Sequence, residues 1–250
     1  MNICIVSRDK RYVKVNELLL ANGYNSVLCT NCDILPCDVL ILSVRDELTD
    51  TELEHLFSQI AKKTIVLCGN SKRVKEHFDG TIIDYSLNEE FLQANAYLTA
   101  EATITYLHSV IQESIQGKNI FVAGYGRIGQ HLCKILALFG AKVCVYARRY
   151  EVKKLVEING FINADLKDCI NNQIIINTVP SVIFKKELID TIPNETCVVD
   201  LASSPYGFEN MECVHLASGL PGKILSNSAA RVVFDTIIDI LSEARKELIW

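Results

Sequence analysis

Three glycines, Gly124, Gly126 and Gly129, constrain this chain most, because they stand between an apolar run and an amphipathic segment. The apolar run, Asn119–Ala123, predicts a buried strand, and residues 127–139 place apolar side chains at helical spacing. In such a unit the first glycine permits a tight turn and the second lets a pyrophosphate approach the backbone. The third lets the helix pack closely on the strand. The pattern in this context predicts a lobe that binds a dinucleotide.

Two further residues of the turn, Arg127 and Ile128, open the predicted helix. Backbone amides and the positive end of the helix dipole favour a phosphate group at such a position. We therefore count both residues, with the three glycines, as cofactor-binding. The alternative is a degenerate lobe of the same fold that holds no ligand.

Two arginines, Arg148 and Arg149, follow the next predicted strand, residues 142–147. In an NAD site this position carries an acid that accepts hydrogen bonds from the ribose 2′-hydroxyl. A carboxylate would repel a 2′-phosphate, whereas a guanidinium binds one through two hydrogen bonds. The arginines therefore predict NADP, and NAD stays possible because Glu151 is close in sequence. The alternative is two solvated surface arginines with adenine stacked on one of them.

Three later loops follow predicted strands at residues 177–180, 200–203 and 218–222. Ligands of open α/β sheets bind at this carboxyl edge. Rigid proline and permissive glycine suit close approach to a ring, although turn chemistry alone would also explain each loop. The first loop supplies four further residues that we expect to bind the cofactor: Asn177, Thr178, Val179 and Pro180.

The N-terminal part of the chain alternates short apolar strands with amphipathic helices up to residue 86, which predicts a parallel sheet covered on both faces. Residues 88–116 contain no proline or glycine and predict one long helix between two lobes. The second lobe continues the alternation and closes with an amphipathic helix over residues 226–248. We therefore predict two domains, residues 1–97 and residues 98–250, with the last helix in the second.

Net charge and cysteine content limit the classes of function that the chain is expected to have. The net charge of −5, from 25 basic and 30 acidic residues, argues against a general nucleic-acid binder. No apolar run is long enough to span a bilayer, and the N-terminus does not resemble a signal peptide, so we expect a cytoplasmic protein. Most of the ten cysteines lie in apolar runs. Cys29, Cys32 and Cys37 are close in sequence, but no fourth zinc ligand appears near them. We expect reduced structural thiols and no metal.

Four segments of the second lobe resemble those of one family: VAGYGRIGQHLCKILALFGAKVCVYAR, INTVPS, VVDLASSPYG and ASGLPGKILSNSA. TAEATI, at residues 99–104, and the Asp9-Lys-Arg11 motif after the first strand fit the same family. Together they resemble the A subunits of dipicolinate synthase from spore-forming bacteria. The resemblance covers most of the chain from Glu101 to the C-terminal helix and is far more specific than the glycine pattern alone.

The resemblance implies an α/β fold with a flavodoxin-like N-terminal lobe and a Rossmann-type, doubly wound parallel sheet, joined by a long interdomain helix. It implies an oxidoreductase related to 2-hydroxyacid and alanine dehydrogenases. The implied reaction converts 4-hydroxy-tetrahydrodipicolinate to dipicolinate during sporulation, by loss of water and hydride transfer to NADP. A separate flavoprotein-like B subunit is the implied partner.

The implied substrate, a small cyclic dicarboxylate, needs cationic and hydroxyl groups around it. Glu101 on the long helix is a candidate base if burial raises its pKa, and a capping or solvated glutamate is the alternative. Arg11 is a candidate carboxylate ligand, with an ordinary salt bridge to Asp9 as its alternative. The candidate catalytic residues are Asp9, Arg11, Glu101, Ser203 and Ser218.

Two other functions are compatible with the sequence. A different hydroxyacid dehydrogenase would need a histidine near the last loops, and His215, inside a predicted strand, is the candidate. A non-catalytic nucleotide-sensing or scaffold protein would keep the glycine turn without the chemistry. The sequence does not decide between a monomer and a homo-oligomer.

Overall fold

The computed structural model describes residues 1–44 and 48–247, the last four of these through their backbone alone. The chain divides into two compact units. Met1–Asn95 and the C-terminal segment from Leu225 form the first unit, and Ala96–Ile224 form the second. Within the described ranges, no helix is both long and apolar enough to cross a membrane.

The strands of the first unit are β1 Asn2–Val6, β2 Asn25–Cys29, β3 Val39–Leu42, β4 Ile65–Cys68 and β5 Ile82–Asp84. They pair in parallel in the order β2-β1-β3-β4-β5, which is that of flavodoxin-like folds. The intervening helices are α1 Arg11–Ala21, α2 Asp50–Ser58 and α3 Ser71–Val74.

Apolar side chains on both faces explain why the central strands of this unit form. All four residues of β3 are buried, as expected for a strand covered by helices on each side. One face packs with Tyr12 and Leu19 of α1, and the other packs with Leu53 and Phe57 of α2. The predicted parallel sheet with two covered faces is confirmed.

The long helix, α4, spans Glu89–Ile111. The side chain of Asn88 accepts the N–H of Phe91 at 2.9 Å, so the helix begins where its sequence predicts. It ends before the predicted residue 116, because Gln112 adopts a left-handed φ of 52°. Ile115 is then buried in the second unit, with 1% of its surface exposed.

The strands of the second unit are β6 Asn119–Ala123, β7 Lys142–Tyr146, β8 Ile162–Ala164, β9 Ile174–Asn177, β10 Cys197–Asp200 and β11 Val214–Leu216. They are parallel in the order β11-β10-β9-β6-β7-β8, so the strand order reverses between β6 and β9. This is the Rossmann order and confirms the predicted doubly wound sheet. The helices are α5 Arg127–Leu138, α6 Tyr150–Ile158, α7 Lys186–Ile189 and α8 Leu220–Ile224.

Two elements of this unit differ from their predictions. The edge strand β8 has no counterpart in the sequence analysis, because it is three residues long and leaves Ile162 68% exposed. The sequence of residues 184–191 predicts a helix, and the structure shortens it to α7, since Phe184 is buried and stacks on Phe208 with ring centroids 4.2 Å apart. Packing with a residue distant in sequence thus decides where α7 begins.

The last helix, α9 Ser226–Glu247, belongs to the first unit, whereas the sequence analysis assigned it to the second lobe. Its buried residues Val233, Phe234 and Ile237 lie in one apolar cluster with Tyr12 and Leu19 of α1. Periodicity predicts an apolar stripe on the helix but not which sheet the stripe covers. The predicted end at Leu248 lies outside the described residues.

Candidate dinucleotide-binding site

Gly124 follows β6 in a conformation that only glycine adopts easily, with a φ of +97°. Its N–H donates to the carbonyl of Tyr146 at 2.9 Å, which ties the turn to β7. A Cβ added here would lie 2.4 Å from Oγ1 of Thr178 and 2.9 Å from Cγ2 of Val179. The turn can therefore form, and stay packed against the loop after β9, only without a side chain.

Gly126 and Gly129 complete the turn in the two ways that the spacing predicts. Gly126 precedes α5, and a Cβ on it would meet nothing within 4 Å, so the backbone there is open to a ligand. A Cβ on Gly129 would lie 2.3 Å from the carbonyl oxygen of Gly124, so helix and turn pack in direct contact. No side chain caps α5, and uncapped first-turn amides of this kind are able to bind an anion.

Arg148 and Arg149 are exposed at the end of β7, and both border a cleft beside the glycine turn. The cleft has a volume of about 300 Å³, at the lower end of the usual range of small-molecule sites. Neither arginine forms an ion pair or a side-chain hydrogen bond within the described ranges, and Glu151 pairs with neither. The cleft therefore carries two exposed cations beside the glycine turn.

The loop after β9 supplies the facing wall of the cleft through Thr178, Val179 and Pro180. Thr178 donates from Oγ1 to the carbonyl of Ala123 at 2.9 Å, which fixes the wall to the end of β6. Asn177, predicted with these residues, is instead fully buried beneath the loop. Its side chain bonds Val179 and Asp200 and does not line the cleft.

The remaining predicted residues of this unit lie outside the lining of the cleft. Arg127 is exposed and Ile128 partly buried at the start of α5. Ser203 is exposed after β10, and Ser218 is partly buried between β11 and α8. Glu101 is exposed on α4. Their proposed roles stay predictions.

His215 lies on the edge strand β11 and borders a groove with Gln173, Thr196 and Cys197. These neighbours stand at the amino-terminal ends of β9 and β10, so the groove is at the opposite edge of the sheet from the glycine turn. Within the described part of the chain, no group of three or more His, Cys, Asp or Glu is arranged to hold a metal ion.

In the first unit, Arg11 and Asp9 form the salt bridge that sequence reasoning left open as an alternative. Nε of Arg11 donates to Oδ2 of Asp9 at 2.9 Å, and only 7% of Arg11 is exposed. Burial lowers the pKa of Arg11, but the hydrogen bonds and charge of Asp9 outweigh that effect and raise it above the ordinary value. Asp9 also accepts the backbone N–H of Arg11 at 2.9 Å.

Sequence reasoning missed three buried tyrosines near these strand ends. Tyr12 and Tyr85 hydrogen bond to each other, while Tyr12 accepts the N–H of Val44 and Tyr85 donates to the carbonyl of Leu42, both at 2.8 Å. Tyr125, inside the glycine turn, is 4% exposed, and its hydroxyl has no hydrogen-bond partner among the described residues. Burial raises the pKa of Tyr125 to about 12. Any residue fits this position of the glycine pattern, so no signal marked it.

Comparison with known families supports a nicotinamide cofactor, with no distinction between NAD and NADP. Residues 85–202 match the family described as D-isomer specific 2-hydroxyacid dehydrogenase, NAD binding domain. The matched region contains the glycine turn, both arginines and the loop after β9. The chain therefore carries a hydroxyacid dehydrogenase-like domain for a nicotinamide cofactor.

Comparison with individual relatives is more specific than the match to the family model. The chain is 30% identical over 163 residues to the dipicolinate synthase A subunit of Bacillus subtilis (strain 168), an alignment that covers 61% of this chain and 55% of that protein. The crystal structure of the dipicolinate synthase A chain from Bacillus subtilis superposes with a TM-score of 0.82 at 21% identity, covering 99% of this chain and 97% of that one. The structure of the A subunit from Bacillus halodurans gives 0.79 at 20% identity, covering 96% and 97%.

The sequence alignment thus spans little more than half the length of that curated relative, and the solved structures establish a shared fold. The glycine turn, Arg148 and the loop after β9 lie in the segments that carry the resemblance. In sequence and in fold, the chain is similar to dipicolinate synthase A subunits.

Proposed function

We propose that this chain is the A subunit of an NADP-dependent dipicolinate synthase that acts in sporulation. The observation that carries the proposal is the pair Arg148 and Arg149, exposed beside the glycine turn with no ion-pair partner among the described residues. The substrate and the pathway rest on the family, because the turn and the arginines recognise the cofactor alone.

A second feature at the end of β7 favours NADP over NAD. Arg149 precedes α6 and no side chain caps that helix, so the amides of its first turn can donate to an anion. Two guanidinium groups next to an uncapped helix terminus suit a 2′-phosphate, which accepts hydrogen bonds and carries negative charge. NAD would present only a ribose hydroxyl to the same groups.

The described residues can hold the rest of the cofactor as well. The backbone at Gly126 and the start of α5 would hold the pyrophosphate, and the wall of Thr178, Val179 and Pro180 would limit where the rings lie. Bound NADP supplies a hydride acceptor. Tight packing of Gly124 against Thr178 keeps this wall at a fixed distance from the turn.

For the substrate we propose 4-hydroxy-tetrahydrodipicolinate, which loses one water and two hydrogens, one as hydride and one as a proton, to become dipicolinate. Arg11, oriented by Asp9, would bind a carboxylate. Glu101 would accept the proton, and the hydroxyls of Ser203 and Ser218 would donate to the substrate. A flavoprotein-like B subunit is the proposed partner.

A nucleotide-sensing or scaffold role is the second candidate, and two observations favour it. The guanidinium of Arg11 is already paired with Asp9, and Glu101 is exposed rather than held in an apolar pocket that would make it a stronger base. A hydroxyacid dehydrogenase using His215 has less support, since that residue lies at the other edge of the sheet from the glycine turn.

Two measurements test the proposal in sequence. NADPH and NADH are titrated against the protein by fluorescence, with tighter NADPH binding expected and equal affinity contradicting the cofactor choice. The protein is then mixed with 4-hydroxy-tetrahydrodipicolinate, NADP and a B subunit, and NADPH and dipicolinate are followed by absorbance. Dipicolinate formed only with both proteins supports the synthase, while NADPH binding without product supports the sensing role.

A further inference from the structure

We propose that Asp200 and Asn177 are positioning residues for the cofactor, which act by holding the loops of the cleft from below. This inference rests on the proposed binding of NADP. Both side chains are fully buried at the carboxyl ends of neighbouring strands, and the strand register places the two residues opposite each other.

Asp200 fixes both ends of the loop that follows β10. Its Oδ1 accepts the N–H of Ala202 at 2.9 Å, and its Oδ2 accepts the N–H of Gly207 at 2.7 Å. Oδ1 also accepts Nδ2 of Asn177 at 2.8 Å. One carboxylate thus satisfies three donors, which compensates for the cost of burying its charge.

Asn177 fixes the loop that follows β9 and forms the wall of the cleft. Its Oδ1 accepts the N–H of Val179 at 3.1 Å, and its Nδ2 donates to the carbonyl of the same residue at 3.0 Å. Gly207 packs directly on this amide, because a Cβ there would lie 2.2 Å from Nδ2. The two loops therefore share one buried pair of side chains.

The pair is connected to the glycine turn through a single residue. Thr178 lies between Asn177 and Val179, donates to the carbonyl of Ala123, and contacts the position where Gly124 has no side chain. A displacement of Val179 would therefore change the gap between the wall and the turn. A group that only stabilises the sheet would have no such connection to the cleft.

Two variants separate this role from a merely structural one. In Asp200→Asn the amide NH₂ must face either Gly207 or the donors of Ala202 and Asn177, so at least one loop contact is lost. Asn177→Ala removes both bonds to Val179. We expect each variant to bind NADPH on the order of tenfold more weakly, as for the loss of one or two buried hydrogen bonds.

The matched control is Asn172→Ala. Asn172 is also buried and donates from Nδ2 to the carbonyl of Asp168 at 2.9 Å, but it precedes β9 at the opposite edge of the sheet. We expect this variant to lower the melting temperature and leave the NADPH affinity unchanged. Hydrogen exchange of the ligand-free proteins should rise in residues 178–183 and 201–207 for Asp200→Asn and Asn177→Ala only.

NADPH affinities are compared at a temperature at which circular dichroism shows that each protein is folded. A variant that is only less stable then has the same NADPH affinity as the wild-type protein. If Asp200→Asn does not fold, Asn177→Ala decides. Wild-type NADPH affinity in Asn177→Ala, or an equal loss in Asn172→Ala, would overturn the positioning role while leaving the proposed cofactor intact. Failure of the wild-type protein to bind NADPH or NADH overturns the proposed function, and the inference with it.

Discussion

The turn between β1 and α1 in the first unit and the turn between β6 and α5 in the second occupy equivalent places, since each follows a strand where the strand order reverses. In the first turn, Asp9 accepts the backbone N–H of Arg11 at 2.9 Å and pairs with its guanidinium. In the second, Gly124, Gly126 and Gly129 leave the start of α5 without any capping side chain.

This difference suggests to us two roles for the same architecture, one structural and one in binding. The amides at a helix N-terminus attract an anion, and the first unit supplies that anion from its own chain. The second unit keeps the same position open and adds Arg148 and Arg149 nearby. We propose that a phosphate from outside the chain binds at the second turn, whereas a carboxylate of the chain already occupies the first.

The largest effect is expected from Gly124→Ala. An alanine at this position would have to keep the positive φ of Gly124, and its Cβ would lie 2.4 Å from Oγ1 of Thr178. The glycine turn and the loop after β9 would therefore have to move apart. We expect NADPH affinity to fall by about a hundredfold or more, equivalent to roughly 3 kcal/mol. Fluorescence titration measures the change.

Gly160→Ala is the control for that experiment. Gly160 has a similar φ of +80° in the same unit, but a Cβ on it meets nothing within 4 Å. It should cost about 1 kcal/mol of stability through backbone strain and leave NADPH affinity unchanged. If both variants lose affinity equally, strain in the unit and not the shape of the turn determines binding.

Arg148→Ala is expected to have the next largest effect. Loss of a charged hydrogen-bond donor to the 2′-phosphate should weaken NADPH binding by about ten- to a hundredfold. NADH, which lacks that phosphate, should bind as before. Lys134→Ala, which removes an exposed cation from α5, is the matched control. An equal loss of affinity for NADPH and NADH would show that Arg148 does not bind the 2′-phosphate.

Asp9→Asn tests the turn between β1 and α1 in the first unit. Buried Arg11 would lose the charge of its partner, and we expect unfolding free energy to fall by roughly 3 kcal/mol. NADPH affinity should not change, because the phosphate site belongs to the second unit. Thermal melting and titration of the same sample measure the two effects. A clear loss of NADPH affinity would mean that the first turn takes part in cofactor binding.

Tyr125→Phe should have the smallest effect. The hydroxyl of Tyr125 is buried without a partner among the described residues, so its removal should stabilise the protein by up to about 1 kcal/mol. NADPH affinity should stay within about a factor of two, because the substitution leaves the backbone of the turn unchanged. Weaker binding would instead show that this hydroxyl bonds the cofactor.

Local sequence patterns predicted the glycine turn of the second unit well, because that turn depends on residues that are neighbours in sequence. The glycine turn needs only a strand before it and a helix after it, and Arg148 and Arg149 follow directly from the end of β7. The flavodoxin-like lobe was expected from the family resemblance, since its strands carry no comparable motif. The structure confirms both sheets.

Features that depend on distant contacts could not be predicted in the same way. The apolar stripe of α9 fits either sheet, and only packing assigns it to α1. Asp9 and Arg11 could equally bind a ligand or each other, and the structure shows the salt bridge. Asn177 was expected to contact the cofactor, but its partner Asp200, 23 residues away in sequence, draws the side chain beneath the loop.

The central claim is that NADP binds at the glycine turn of the second unit through its 2′-phosphate, and a crystal structure of the NADP complex tests it most directly. The 2′-phosphate should lie within hydrogen-bonding distance of the guanidinium of Arg148, at about 2.8 Å. The pyrophosphate should contact the backbone at Gly126 and the first turn of α5. A cofactor whose 2′-phosphate points into solvent, or that binds at the turn containing Asp9, would contradict the account.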